Sequence, residues 1–464
     1  MRRSIVFILI LLVCTTRGFG QNTTVFRQDA YKNAEIGIYV LDMATGKTVV
    51  DFKTAPIETP ASVLKLLTTA TALELLGPDY QFITTLYYTG TIKAGILNGD
   101  LVVVGGGDPT LGSRHFAENK EAFLQEWVKA VKNAGIVRID GRVLVDATLF
   151  DTEGVSPYWL WEDIGNYYAT GVYGLNVFDN SFQLLLKSGS VGGIPEIIKT
   201  IPTIPSLSIE NNLRSAANNT DSAYLYGAPF QNEMRLFGTI PANKESFSIR
   251  GQLPNPSVLL VSMFSSRLKD AGISIYSKML PANSPRTKLT SVSSPALHDI
   301  VQLIHAKSDN FYAECLLRQL AVKEGFTPAS AKDGIRVIKK FWMKQGLDLS
   351  ALSMYDASGL SPNNRVSAEL IARLLLLESK QKQGALFEST LPLAGKEGTV
   401  SGFLKGTALE GLLRLKSGSN EVVNSYAGYY RVSNKKFAVA MLINHAQKPR
   451  QNIRKDMEVF LLSL

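Results

Sequence analysis

Pro60-Ala61-Ser62-Val63-Leu64-Lys65 is the stretch that decides the fold. Proline suits a first helical turn, because the N–H it lacks has no intrahelical partner there. A helix is therefore expected from Pro60 to Gly77-Pro78, with Leu64, Leu67, Leu75 and Leu76 along it. Residues three apart share a helix face, so the Ser62 hydroxyl and the Lys65 amine can meet. Ser62 also falls where the helix dipole and free backbone N–H groups stabilise negative charge on an oxygen. A serine hydroxyl needs an adjacent base, and a lysine serves once burial or a neighbouring cation lowers its pKa. The bland alternative is a helix-start serine beside an exposed lysine. Ser266-Arg267-Leu268-Lys269 has the same spacing, but late in a helix, where the dipole has the wrong sign.

Two further clusters lie downstream. Ser308-Asp309-Asn310 falls between two helical patterns. Its serine can relay a proton to a leaving group, and its asparagine amide can hold both lysine and substrate. Serine, aspartate and asparagine also favour turns and caps, and Ser361-Pro362-Asn363 shares the spacing. Lys416-Ser417-Gly418 comes just before late β-rich runs. A lysine and a hydroxyl there can grip a carboxylate, and glycine lets substrate approach the backbone. Lys187-Ser188-Gly189 repeats the letters but precedes Ser308. Each cluster alone is weak. In order, Ser-x-x-Lys, Ser-x-Asn and Lys-Ser/Thr-Gly form the signature of penicillin-binding proteins and serine β-lactamases.

Other chemistries fit less well. His115, His298, His305 and His445 form no His-Glu-x-x-His zinc motif, and no Gly-x-Ser-x-Gly elbow is present. Gly105–Gly107 lacks the Gly-Lys-Ser/Thr of a phosphate loop and reads as a strand-to-turn element. Cys315, on an apolar helix, reads as a buried thiol. No metal and no cofactor are expected.

Composition is ordinary for a globular chain of 464 residues, with 45% hydrophobic and 19% charged. Arg2 and Arg3, the apolar run Ile5–Cys14, and Gly18 and Gly20 make residues 1–20 a secretory signal. A lipoprotein reading through Cys14 is disfavoured by the bulky Val13. Removing Arg2, Arg3 and Arg17 leaves 46 basic against 40 acidic residues, a mild +6. That suits an anionic neighbour such as the cell wall. No basic run with interleaved aromatics suggests nucleic acid.

The chain ends read as one α/β unit. A hairpin, Ile36–Leu41 and Val49–Phe52, opens it; strands Ser425–Val432 and Phe437–Asn444 and an amphipathic helix near 451–464 close it. The middle reads as inserted. Strands are expected at 100–104 and 142–145, a helix around Phe123, Trp127, Val128 and Val131, and a helix from Asn255-Pro256 to Ala271-Gly272.

The whole mature chain resembles the D-alanyl-D-alanine carboxypeptidase/endopeptidase family, the class C low-molecular-mass penicillin-binding proteins. Beyond the three motifs, the likeness runs through Leu76-Gly77-Pro78-Asp79, Gly107-Asp108-Pro109-Thr110-Leu111 and Trp159-Leu160-Trp161-Glu162-Asp163. It continues in Ser308-Asp309-Asn310-Phe311-Tyr312-Ala313-Glu314, Asp356-Ala357-Ser358-Gly359-Leu360-Ser361 and Leu391-Pro392-Leu393-Ala394-Gly395. The resemblance implies an α/β (α+β) fold: a penicillin-recognising, β-lactamase-like domain with two nested accessory domains inserted. The boundaries expected are 21–83 and 290–464 for the catalytic domain, 84–93 and 168–289 for accessory domain II, and 94–167 for a nested domain III. It implies an exported serine peptidase of the cell envelope or periplasm, acting on peptidoglycan peptides and acylated by β-lactams.

By the same resemblance Ser62 is the nucleophile, Lys65 its base and Ser308 the proton relay. Asn310 binds the substrate amide, and Lys416 and Ser417 bind the terminal carboxylate beside Gly418. The N–H groups of Ser62 and Ser419 form the oxyanion hole. Asp163 meets the amino group of the peptide's diamino acid, with Tyr168 lining that pocket. Ser417 stands where threonine is commoner, and Asn420-Glu421-Val422 departs from an apolar-and-glycine pattern. The alternatives are a β-lactamase or esterase on the same domain, which the long insertion argues against, and a non-catalytic envelope binding protein, which the intact motifs argue against.

Overall fold

The structure is a computed structural model that describes residues 21–116, 118–279 and 285–464. The expected secretory signal, residues 1–20, lies outside the described residues. No helix among the described residues is long and apolar enough to cross a membrane.

Glu35–Asp42 and Thr48–Lys53 form the opening hairpin. Its turn is closed by Asp42, whose carboxylate accepts from the N–H groups of Ala44 and Thr45. The first strand then pairs with the last. Glu35 stands opposite Asn444 and Asp42 opposite Phe437. The antiparallel sheet runs Thr48–Lys53, Glu35–Asp42, Lys435–Asn444, Val423–Val432, Leu413–Ser419. Its edge strand carries the third motif: Lys416-Ser417-Gly418 was expected on a β-strand ahead of the late runs and sits within Leu413–Ser419.

Side chains alternate across a strand, so this sheet feeds two cores. Ala427 and Tyr429 face the helices Lys65–Leu76, Leu297–Lys307, Asn310–Lys323, Ala331–Lys344 and Ala368–Glu378. Tyr426 and Tyr430 face the closing helix Arg450–Leu462, which contributes Ile453, Met457 and Phe460. Three of these helix starts are capped by their own side chains. Asp309 accepts from the Tyr312 N–H, Ser330 and Asp333 form a capping box, and Ser367 accepts from the Leu370 N–H.

The inserted segment leaves through Ile83–Thr89 and returns through Arg286–Ser293. These strands pair antiparallel, with Ile83 opposite Ser293. Entry and exit are thus adjacent, which lets a long insertion interrupt the catalytic unit without opening it. Its core packs Phe123, Trp127 and Val131 of the Ala122–Asn133 helix against Phe264 and Leu268 of the Pro256–Asp270 helix.

The sheets do not divide at residues 94 and 168. Ile83–Thr89 pairs with Leu101–Val104, and Ile96–Asn98 joins Ser274–Ile275 through Arg138–Ile139. The strands that close only on one another lie at 181–252. One sheet there is Glu196–Ile201, Ser181–Lys187 and Phe247–Gln252, and the other is built around Glu233–Pro241. The nested unit was expected at 94–167; strand pairing sets 181–252 apart as two sheets that share no named strand with the rest of the insertion. Short β-like runs announce strands but not their partners, and only pairing shows which set closes on itself.

Candidate active site

The Ser62 segment opens with a 3-10 turn, Ala61–Leu64, ahead of its α-helix, which starts at Lys65. Ala61 has φ 45°, a conformation that costs a non-glycine residue free energy and survives only when its surroundings hold it. Two glycines hold it. A Cβ on Gly359 would lie 1.9 Å from the Ala61 carbonyl oxygen. A Cβ on Gly418 would lie 2.7 Å from the Pro60 oxygen and 2.9 Å from the Ser62 nitrogen. Only glycine lets these backbones press on the Ser62 turn.

The three motifs converge here. Lys65 Nζ is fully buried and donates to Ser62 Oγ (2.7 Å), Asn310 Oδ1 (2.7 Å) and the Ser358 carbonyl (2.6 Å). Burial lowers its pKa to about 8, against the opposing pull of Asp356, Asp309 and Glu314. Ser308 ends the Leu297–Lys307 helix in the left-handed region, φ 59°, which turns its hydroxyl toward the edge strand. Lys416 Nζ donates to Ser308 Oγ (2.8 Å) and to the Ser417 carbonyl (2.6 Å). Burial, with Lys65 as the nearby like charge, pushes the Lys416 pKa well below its ordinary value. The Ser417 hydroxyl lies 2.7 Å from that of Thr399. Ser62, Ser308, Ser417, Gly418 and Ser419 line one cavity of about 290 Å³.

Asn310 is the first residue of its helix. Its Nδ2 donates to the Tyr168 carbonyl (2.8 Å), which ties the inserted segment to the motif. Asp163 and Tyr168 lie half-buried against each other; burial raises both side-chain pKa values, and the Asp163 charge raises Tyr168 further. Neither side chain lines the Ser62 cavity. Glu421 is exposed at the turn after the edge strand.

Sequence reasoning named the motifs but not what orients them. The Ser358 carbonyl reaches Lys65 because Glu314 accepts from the Ala357 and Ser358 N–H groups, both at 2.9 Å. Asp356 is buried and accepts from the Gly359 and Ser361 N–H groups, from Asn364 and from the Trp159 indole (2.9 Å). Asp309, besides capping its helix, pairs with Arg114 at 3.4 Å. A glutamate inside the apolar run Phe311–Leu317 was the one available signal. His305 is fully buried between Thr69 and Thr390 (2.9 Å each), and burial together with Lys416 lowers its pKa to about 3. It is a neutral packing residue, and Cys315 is a buried free thiol.

A serine, a buried lysine against it and a second lysine–serine pair in one cavity are the parts of an acyl-serine enzyme. The model of the D-Ala-D-Ala carboxypeptidase 3 (S13) family matches residues 22–464. The chain belongs to that family. Its activity is that of a serine D-alanyl-D-alanine carboxypeptidase, a hydrolase of peptidoglycan peptides. Among similar members, a D-alanyl-D-alanine carboxypeptidase of Actinomadura sp. (strain R39) is 26% identical over 87% of this chain and 77% of its own. The D-alanyl-D-alanine carboxypeptidase DacB of Haemophilus influenzae is 25% identical over 91% and 88%. Penicillin-binding protein 4 of Haemophilus influenzae shares the fold, with a TM-score of 0.81 and 22% identity over 95% of this chain and 99% of that one.

Proposed function

We propose that this family member cleaves the bond after the penultimate D-alanine through an acyl-enzyme on Ser62, with Lys65 as base. The observation that carries the reading is the 2.7 Å contact between Lys65 Nζ and Ser62 Oγ, made by a lysine whose pKa burial lowers to about 8. About a tenth of such a group is neutral at pH 7, against well under a thousandth of an ordinary lysine. Neutral Lys65 takes the Ser62 proton as Oγ attacks the carbonyl carbon. The backbone N–H groups of Ser62 and Ser419 receive the oxyanion. The C–N bond then breaks, and the leaving amine takes a proton through Ser308. Water adds to the acyl-enzyme and releases the shortened peptide.

Asn310 presents its remaining amide hydrogen to the substrate, since Oδ1 serves Lys65 and one N–H serves Tyr168. Lys416 and Ser417 hold the terminal carboxylate. Lys416 is buried and makes no ion pair among the described residues, so a bound carboxylate restores the charge that burial disfavours. Asp163, half-buried against Tyr168, receives the ammonium of a diamino acid in this reading. A β-lactam carbonyl would meet the same hydroxyl and remain attached. Residues 1–20 direct export, and the enzyme works in the periplasm or cell envelope.

Labelling with fluorescent penicillin tests this reading. The wild type should give one covalent band, and Ser62→Ala should give none. A band that persists in Ser62→Ala refutes the assignment. Rapid loss of the label would favour a β-lactamase instead.

A further inference from the structure

The cleft does not close at Ser417. The cavity that holds Ser62 and Ser308 continues across the edge strand to the closing helix, where Asn424, Tyr426, Arg450 and Arg454 line it. Arg450 and Arg454 are four residues apart on the Arg450–Leu462 helix and so share a face. Neither enters an ion pair among the described residues. The acid nearest in sequence on that face, Glu458, accepts through Oε1 from the Leu404 N–H at 2.8 Å and forms no ion pair with either arginine. The Arg454 guanidinium lies over the Phe403 ring at 5.9 Å, and Phe403 stacks on Tyr426 with centroids 4.0 Å apart. That stack makes the wall rigid. Asn424, only 3% exposed, lines the same cavity, and its Oδ1 has no hydrogen-bond partner. A buried acceptor left unpaired carries a free-energy penalty that a ligand N–H would remove.

Two open guanidinium groups and an unused amide acceptor form a site for an anion that brings a donor with it. Under the proposed function, the carboxylate next to the scissile bond is already held by Lys416 and Ser417. The arginines are left for a second one. We infer that Arg450 and Arg454 bind a second carboxylate on the departing residue, so that a dicarboxylic leaving residue is preferred over a neutral one of the same size. This rests on the proposed function and specifies the substrate class of its leaving-group side.

Three acyl peptides, identical up to the final residue and ending in D-Ala-D-Glu, D-Ala-D-Gln and D-Ala-D-Ala, test the inference with the purified protein. D-Glu and D-Gln differ in charge but hardly in shape. The expected kcat/KM ratio of D-Glu to D-Gln is about tenfold, the size of one charge-assisted contact. The ratio should shrink as salt is added. It should fall to near one in Arg450→Gln/Arg454→Gln and be largely kept in Arg450→Lys/Arg454→Lys. A wild-type ratio near one, no cleavage of either the D-Glu or the D-Gln peptide, or an unchanged ratio in the double Gln variant overturns the inference. If D-Ala-D-Ala is not cleaved and penicillin does not label, the proposed function falls and takes this inference with it.

Discussion

Lys-Ser-Gly occurs twice in this chain, once in the insertion and once in the catalytic sheet. Lys187 ends a strand of the nested unit with its side chain half exposed, paired with Glu245 at 2.8 Å. Ser188 is used locally, donating to the Pro241 carbonyl and accepting from the Lys244 N–H. A Cβ on Gly189 would meet nothing within 4 Å. Lys416, by contrast, is fully buried in mid-strand and reaches Ser308, 108 residues away in sequence. Gly418 presses on the backbone of Ser62. The same three letters are a surface strand end in one place and a catalytic wall in the other. What differs is burial and the element opposite. The surroundings differ in the same way: 181–252 buries no charged side chain, whereas the catalytic unit buries Lys65, Lys416, Glu314, Arg318 and Asp356. Buried charge is costly, so its concentration marks where chemistry is arranged.

Paired substitutions put this contrast at risk. Lys416→Ala should slow acylation by penicillin about 10²–10³-fold, the usual loss when a charged contact to the reacting group is removed. Lys187→Ala should leave the rate unchanged. Equal losses in the two variants would mean that burial does not separate the copies.

Gly418→Ala forces a Cβ against the Pro60 oxygen and the Ser62 nitrogen. Overpacking of this kind costs about 1–3 kcal/mol. The melting temperature should drop by several degrees, and acylation should slow more than about tenfold, because misplacing a nucleophile by an ångström is itself expensive. Gly189→Ala should melt with the wild type, as its Cβ enters open space.

The pH profile separates the regions without mutation. Under the proposed function the active form of Lys65 is the neutral amine, and burial lowers its pKa to about 8. The value of kcat/KM should therefore rise about tenfold between pH 6 and pH 7 and level off above about pH 9. A flat profile across that range would remove Lys65 as base.

The smallest effect is expected at Ser417. Its side chain is partly exposed, and threonine would keep the hydroxyl facing Thr399. Ser417→Thr should change kcat/KM by less than about threefold. A larger loss would show that the methyl group crowds the Thr399 contact.

Much of the catalytic unit was legible because its signals are local. Pro60, Gly77 and the helix between them, the opening hairpin and the late strands all follow from residue spacing and turn chemistry. The edge strand Leu413–Ser419 was marked by its motif rather than by periodicity, because its apolar alternation covers only Leu413 and Leu415 before the motif begins. The extent of the nested unit has no local signal, because strand partners at 83–104 and 274–293 are remote in sequence. Arg450 and Arg454 read as polar positions of an amphipathic helix, and nothing in their neighbours marked a cleft.

By itself the sequence determined which polar residues this chain possesses, in what order, and at the starts and ends of which elements. Order survives without coordinates because it is a property of the covalent chain. The tertiary structure alone decided which lysine loses its water, which glycine meets a backbone and which arginines stay unpaired. Those properties come from desolvation and contact between segments hundreds of residues apart, and no local pattern encodes them.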